Sequence, residues 1–358
     1  MKANDTRLDS VRCMAILSVL FCHCVESVFW FTLPKITALP PWTCFWELEF
    51  FTLGRLGVPL FLFLTGYLMI PKSYEGPALS RFYRTRFLPL LLCWECWILL
   101  YWLINAGTGR IPWSLSGLIQ QLLLLKPVDM MHGWYMPMIL GMYLFLPYIS
   151  FGVRMLPGRL LIAMTALGFF SWMVLPCVNR LAQISGSSLW LSWLPDLTAG
   201  GGLYGVYLLT GYLLHRYREG LRAFFSRPWI RAAALLCAAA LAGLTGWVQL
   251  RAFRSFHEFR IWYDWPLLPV IGLLLWAVAC GAPTDRPRRL TASLADHAFG
   301  MYLVHMPIIL LLVRFRPFGF PRFLYLGLLF LLTLILSWLT AMLGSRIPHL
   351  GRLLFYRK

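Results

Sequence analysis

The stretch RLDSVRCMAILSVLFCHCVE, residues 7–26, decides how the rest of the chain is read. Charged residues (Arg7, Asp9 and Arg12) lead into an apolar run of the kind that crosses a bilayer, which needs about 20 such residues. The run holds His23 near its middle and Glu26 three residues later. It is expected to be a permanent first span rather than a cleaved signal peptide. No small-x-small site follows, Phe21 is too bulky to precede a lipoprotein cysteine at Cys22, and the apolar run continues into Trp30 and Phe31.

Working outward, the same texture covers the whole chain. Of 358 residues, 59% are hydrophobic and only 13% charged, half the charge of an ordinary soluble protein at about a quarter. The fold class is therefore all-α, a polytopic integral membrane protein. Ten spans are expected, at about 13–33, 50–70, 87–106, 134–151, 160–178, 198–215, 230–250, 265–281, 298–313 and 323–344. Pro40-Pro41, Pro71-Lys72, Arg286-Pro287 and Arg316-Pro317 mark connections, and no linker interrupts a single domain over 1–358. With the N-terminus inside, 21 of the 32 Lys and Arg fall in inside segments and 11 in outside ones, so both termini are expected in the cytoplasm.

The net charge of +18 is spread over the ends of apolar runs. It reads as topological charge with attraction to anionic membrane lipids, not as a nucleic-acid surface. The nine cysteines, including Cys93 and Cys96, lack a second pair at zinc spacing, so no metal is expected. Leu64-Thr65-Gly66-Tyr67-Leu68 is echoed by Leu209-Thr210-Gly211-Tyr212-Leu213. Both copies run in the same direction through the membrane, so the echo reads as close helix packing rather than an inverted transporter repeat.

A titratable group at membrane depth costs about 2.5–3.5 kcal/mol or more, which makes each one a functional candidate. These are His23, Glu26, Glu95 and His305, with His132 at the outer edge of a span. At about 100° per residue, Asp9, Arg12, His23 and Glu26 lie within an arc of about 100° on one helix face. Arg12 stands about 16 Å below His23, at the inner membrane surface. That spacing suits a long substrate with an anionic head and a reactive far end. Arginine holds phosphate, and neutral imidazole accepts a proton from a hydroxyl. Glu26 would orient the imidazole or pair within the bundle, and an interhelical hydrogen bond accounts for His23 equally well. Arg81, Arg84 and Arg86 form a second basic group, fitting either topology or a phosphate cradle.

Arg12, ten residues, then His23 resembles the signature of the membrane acyltransferase 3 family. GVPLFLFLTGYLM (57–69) is similar to the family's second span, usually V-P-L-F-F-x-x-S-G-Y, with Thr65 in place of serine. SRFYRTRFLP (80–89) resembles its Arg-x-x-Arg region, although Arg86 rather than Arg84 precedes Phe-Leu-Pro. KPVDMMHGWYMPMILGMYLFLPYI (126–149) and HAFGMYLVHMPII (297–309) resemble later landmarks. The nearest likeness is to the enterobacterial common antigen O-acetyltransferase subgroup.

The resemblance implies transfer of an acyl group, usually acetyl, from cytoplasmic acyl-CoA to a hydroxyl of a surface or lipid-linked glycan. Acyl-CoA would be a co-substrate, with no tightly bound cofactor, and the enzyme would lie in the inner (plasma) membrane. Carried onto this chain, the resemblance makes His23 catalytic and Arg12, Arg81 and Arg84 donor contacts. Position and residue type add Glu26 to the catalytic residues, Arg86 to the donor group, and His132, Trp134, Tyr135 and His305 as acceptor contacts. A transporter or flippase, and a non-catalytic glycan-binding scaffold, stand as alternatives.

Overall fold

A computed structural model describes residues 6–29, 31–192, 195–283, 289–316 and 319–356. The junction Arg286-Pro287, Pro317, Lys2 and Trp30 lie outside the described residues. Among those described, the structure is helical without strands. Each expected span falls on a helix: α1 Thr6–Val28, α2 Pro41–Met69, α3 Pro77–Gly107, α4 Tyr135–Met155, α5 Gly158–Ile184, α6 Gly202–Arg216, α7 Pro228–Arg254, α8 Leu267–Gly281, α9 Arg289–Phe315 and α10 Arg322–Gly344.

Eight of these are long and apolar enough to cross a membrane. The other two, α6 and α8, have 15 residues each, about 22 Å at 1.5 Å per residue and short of a bilayer core of about 30 Å.

The first two helices start earlier than the apolar pattern indicates. In α1 the charged opening joins the helix because Arg12 pairs with Asp9 one turn away at 2.7 Å, and Asp9 is fully buried. In α2 the helix extends back to Pro41, so residues 41–49, expected to be a connection, are helical. The α-helical ladder of α2 is interrupted at Arg55-Leu56. Pro59 has no N–H to return to the carbonyl of Arg55 and clashes with that turn, which accounts for the break.

The helices group into two units. The first comprises Met1–Pro71, Met155–Asp296 and Pro321–Phe330. Here α1 packs on α2, and α2 packs on α6 and α7. A Cβ on Gly54 would lie 2.6 Å from the Cα of Cys22, and one on Gly57 would lie 2.6 Å from the Ala15 carbonyl. The α1 and α2 backbones touch through these glycines. The echoed phrase does the same for α2 and α6. A Cβ on Gly66 would overlap the Leu208 carbonyl, and one on Gly211 would overlap that of Phe63. Thr65 and Thr210 fold their hydroxyls back onto Phe61 and Val206 carbonyls, leaving the crossing apolar.

The second unit comprises Lys72–Arg154, His297–Phe320 and Leu331–Lys358. The short helix Leu350–Phe355 packs against α3, where Trp97 donates to the Leu354 carbonyl at 2.7 Å. Within α3, residues Tyr83–Phe87 widen into a π turn. The cause is local: Pro89 cannot donate to the Thr85 carbonyl, so Leu88 N–H reaches back to Tyr83 instead. The π turn Phe170–Val174 of α5 likewise precedes Pro176.

Candidate active site

On α1, His23 and Glu26 stand one turn apart on a shared face. His23 Nδ1 lies 2.8 Å from Glu26 Oε2, and the other carboxylate oxygen, Oε1, accepts from Arg55 Nη2 at 2.6 Å. An ionised carboxylate only accepts, so the proton of this bond sits on Nδ1. In the neutral ring this leaves the lone pair on Nε2, the form a general base requires. His23 is 8% exposed and Arg55 5% exposed, so the bonds form in a medium that strengthens them.

Arg55 has no place in the pattern of expected site residues; by topology it counted among outside charges. The structure encloses it. Its position at the break in α2, between Gly54 and Gly57, places it where two backbones touch and aims its side chain at Glu26. Three rings sheathe the guanidinium, Phe51 and Trp262 each at 4.5 Å and Tyr263 at 5.6 Å from its carbon. Its Nη1 donates to the Tyr263 hydroxyl at 3.5 Å. Burial raises the pKa of that phenol and Arg55 opposes the shift, so Tyr263 stays a neutral partner. The sequence signal was present: a lone arginine between glycines, G-R-L-G, at the head of an apolar run.

Arg12 lies on the same continuous helix as His23, eleven residues and about 16 Å below it. Its guanidinium is partly exposed and paired with buried Asp9. The four-residue face read from helix geometry is thus two pairs, each at i,i+3 spacing.

In the second unit, Arg84 and Arg86 occupy the π turn of α3 and Arg81 the turn before it. Arg81 and Arg84 are exposed and Arg86 half-buried. Tyr356 donates to the Arg86 carbonyl at 3.0 Å, fixing the turn from the C-terminal side. Glu95 is half-buried on the same helix.

His132 and His305 come together in this unit, with ring centroids 4.8 Å apart and both side chains fully buried. The Tyr101 hydroxyl gives its proton to the Leu303 carbonyl at 2.5 Å and accepts from His132 Nε2 at 3.1 Å. Tyr302 donates to the His132 carbonyl at 2.9 Å, and His305 Nδ1 donates to the Tyr302 carbonyl at 2.6 Å. These bonds tie α3, the 126–134 segment and α9 together. Trp134 and Tyr135 are half-buried, and Tyr135 packs on Tyr302 at 5.6 Å.

The family described as acyltransferase domain matches residues 5–342, nearly the whole chain. Neither a curated protein nor a solved structure matches it.

Proposed function

The chain belongs to that acyltransferase family, and from this premise we propose that it is an integral membrane O-acyltransferase whose general base is His23. Transferase activity, with an acyl donor and an acceptor, follows from the family. The finer assignment is that an acetyl group moves from cytoplasmic acyl-CoA to a hydroxyl of a surface or lipid-linked glycan, such as enterobacterial common antigen. Placement in the inner membrane with both termini cytoplasmic belongs to the same proposal, supported by the distribution of Lys and Arg.

The observation that carries this reading is the chain His23–Glu26–Arg55. In the proposed step, Nε2 takes the acceptor hydroxyl proton as the oxygen attacks the thioester carbonyl carbon. The tetrahedral adduct collapses, the C–S bond breaks, and the imidazolium returns the proton to the departing thiolate. Glu26 stabilises the imidazolium and holds the ring in one tautomer, as a positioning acid does in other base-assisted acyl transfers. Arg55 pairs with Glu26 and fixes it between α1 and α2.

Donor phosphates are assigned to Arg12 in the first unit and to Arg81, Arg84 and Arg86 in the second, by residue type and by their place at helix ends. Acceptor contacts are assigned to His132, Trp134, Tyr135 and His305, the two histidines being bonded to the Tyr101 hydroxyl and the Tyr302 carbonyl. The test is reconstitution with labelled acetyl-CoA in the presence of glycan-bearing membranes. Label is expected on the glycan with wild-type protein and lost with His23→Gln. Movement of unmodified glycan without label transfer would support a flippase and refute the proposal.

A further inference from the structure

Between α7 and α8, residues 255–266 (SFHEFRIWYDWP) form an irregular connection whose burial alternates. Phe259, Ile261, Tyr263 and Trp265 are buried; Arg260 and Trp262 are exposed and Asp264 is half-buried. Irregular backbone is stable against a membrane bundle only when its polar groups are satisfied by protein. Here they are. Ile261 N–H donates to Gln249 Oε1 at 3.1 Å, and Gln249 in turn donates to Thr52 on α2 at 3.0 Å. Trp265 Nε1 donates to Thr245 Oγ1 at 3.0 Å, and the Tyr263 carbonyl accepts from Tyr207 at 2.7 Å. Gln249, Thr245 and Tyr207 are all fully buried. The segment is anchored on its inner face to α2, α6 and α7, and its other face is presented outward as a fixed surface.

That outward face carries an indole, a guanidinium and a carboxylate. Trp262 is 38% exposed and also lies over Arg55, so it borders the His23–Glu26–Arg55 chain. Asp264 pairs through Oδ2 with Arg180 at 3.3 Å, whereas its enclosed Oδ1 has no hydrogen-bond partner among the described residues. The Asp264 side chain is 23% exposed, through Oδ2 rather than the enclosed Oδ1, and that accessible oxygen has lone pairs left for a further donor. A ring with an apolar C–H face and hydroxyls at its edge matches all three groups.

We infer that Trp262, Asp264 and Arg260 form a subsite for the acceptor sugar. The ring stacks on the indole, one hydroxyl donates to Asp264 Oδ2, and Arg260 donates to a second oxygen. This rests on the acyltransfer reading above and specifies its acceptor side. An indole serving only as an interfacial anchor would also accept Tyr, but its loss would lower the amount of folded protein in the membrane, so acetylation is read per unit of membrane-inserted protein.

The test compares variants in cells that make the surface glycan, reading acetyl groups per glycan by mass spectrometry, with acetyl-CoA binding measured on the purified full-length proteins. Trp262→Leu and Arg260→Gln are each expected to lower acetylation about tenfold, as loss of a binding hot spot does. Trp262→Tyr, which keeps a stacking face, is expected to retain most of it. Acetyl-CoA affinity should match wild type in all three. Arg260→Gln leaves the Arg55 stack in place but also removes a positive charge that acts on Glu26, so Arg260→Lys, which keeps that charge, is compared with it to separate sugar contact from an effect on the catalytic chain. Wild-type acetylation by both Trp262→Leu and Arg260→Gln, or donor affinity falling in step with acetylation, would overturn the inference. Such a result with His23→Gln still inactive would leave the catalytic reading standing; full acetylation by His23→Gln would remove both.

Discussion

Replacing Glu26 by glutamine removes one charge and one acceptor from a chain in which both carboxylate oxygens are already engaged. In the native site, Oε2 accepts from His23 at 2.8 Å and Oε1 from Arg55 at 2.6 Å. A glutamine has a single oxygen. If that oxygen turns to Arg55, the amide N–H₂ faces Nδ1, which must then accept, and the ring proton moves to Nε2, abolishing the base. If it turns to His23, the amide donors face a guanidinium that is only 5% exposed, leaving a buried charge uncompensated. Removing one partner of a buried ion pair costs about 3–5 kcal/mol. Loss of positioned general-base catalysis costs about 10²–10⁴ in rate, which at about 1.4 kcal/mol per tenfold spans a similar range. The expected result is a loss of at least about 100-fold in acetyl transfer at saturating donor. It would be measured as label incorporated from acetyl-CoA by protein in lipid vesicles. Glutamate-to-glutamine protein working within about threefold of wild type, less than 1 kcal/mol, would refute the assignment of His23, Glu26 and Arg55 to one catalytic chain.

Three further outcomes follow from the packing. Arg55→Lys keeps the charge but loses the planar fork sheathed by Phe51, Trp262 and Tyr263, so transfer should fall about ten- to a hundredfold, about 1–3 kcal/mol, in the same vesicle assay. Gly211→Val drives a side chain into the Phe63 backbone across the α2–α6 crossing; overpacking of about 3 kcal/mol should appear as lost monodisperse protein in detergent and a lower melting temperature. Tyr101→Phe removes the donor to the Leu303 carbonyl and the acceptor of His132, at about 1–3 kcal/mol per buried group left unsatisfied. Its melting temperature should drop while transfer by the remaining folded protein stays near wild type; a rate loss exceeding the loss of folded protein would instead give His132 a part in the chemistry.

Membrane character and helical class were legible in the sequence because lipid allows backbone groups no other partners than those within the helix, and eight of the ten expected spans fall on helices long and apolar enough to cross a membrane. The relation of Arg12 to His23 was legible for a similar reason, since both lie on one helix and the α-helix repeat places them without reference to any neighbour. The glycine echo was readable as a contact, though not which helices it joins. Arg55 was not legible as a site residue. Its charge resembles that of an arginine outside the membrane until Gly54 and Gly57 bring α1 against α2, and until Pro59 opens the turn that aims the guanidinium at Glu26.

The segment 255–266 shows the same limit. Its aromatic and charged residues are what any membrane-surface loop contains, and their local order says nothing of the Gln249, Thr245 and Tyr207 bonds that pin one face down and leave the other outward. The amino-acid order by itself therefore determined what is local: apolar length, the periodic face of a single helix, and which residue types could carry acyl transfer. The tertiary structure decided what joins residues far apart in the chain. It alone brought a carboxylate on α1 to a guanidinium on α2 and an indole beyond α7, because such contacts depend on which helices meet, and helical periodicity carries no information about that.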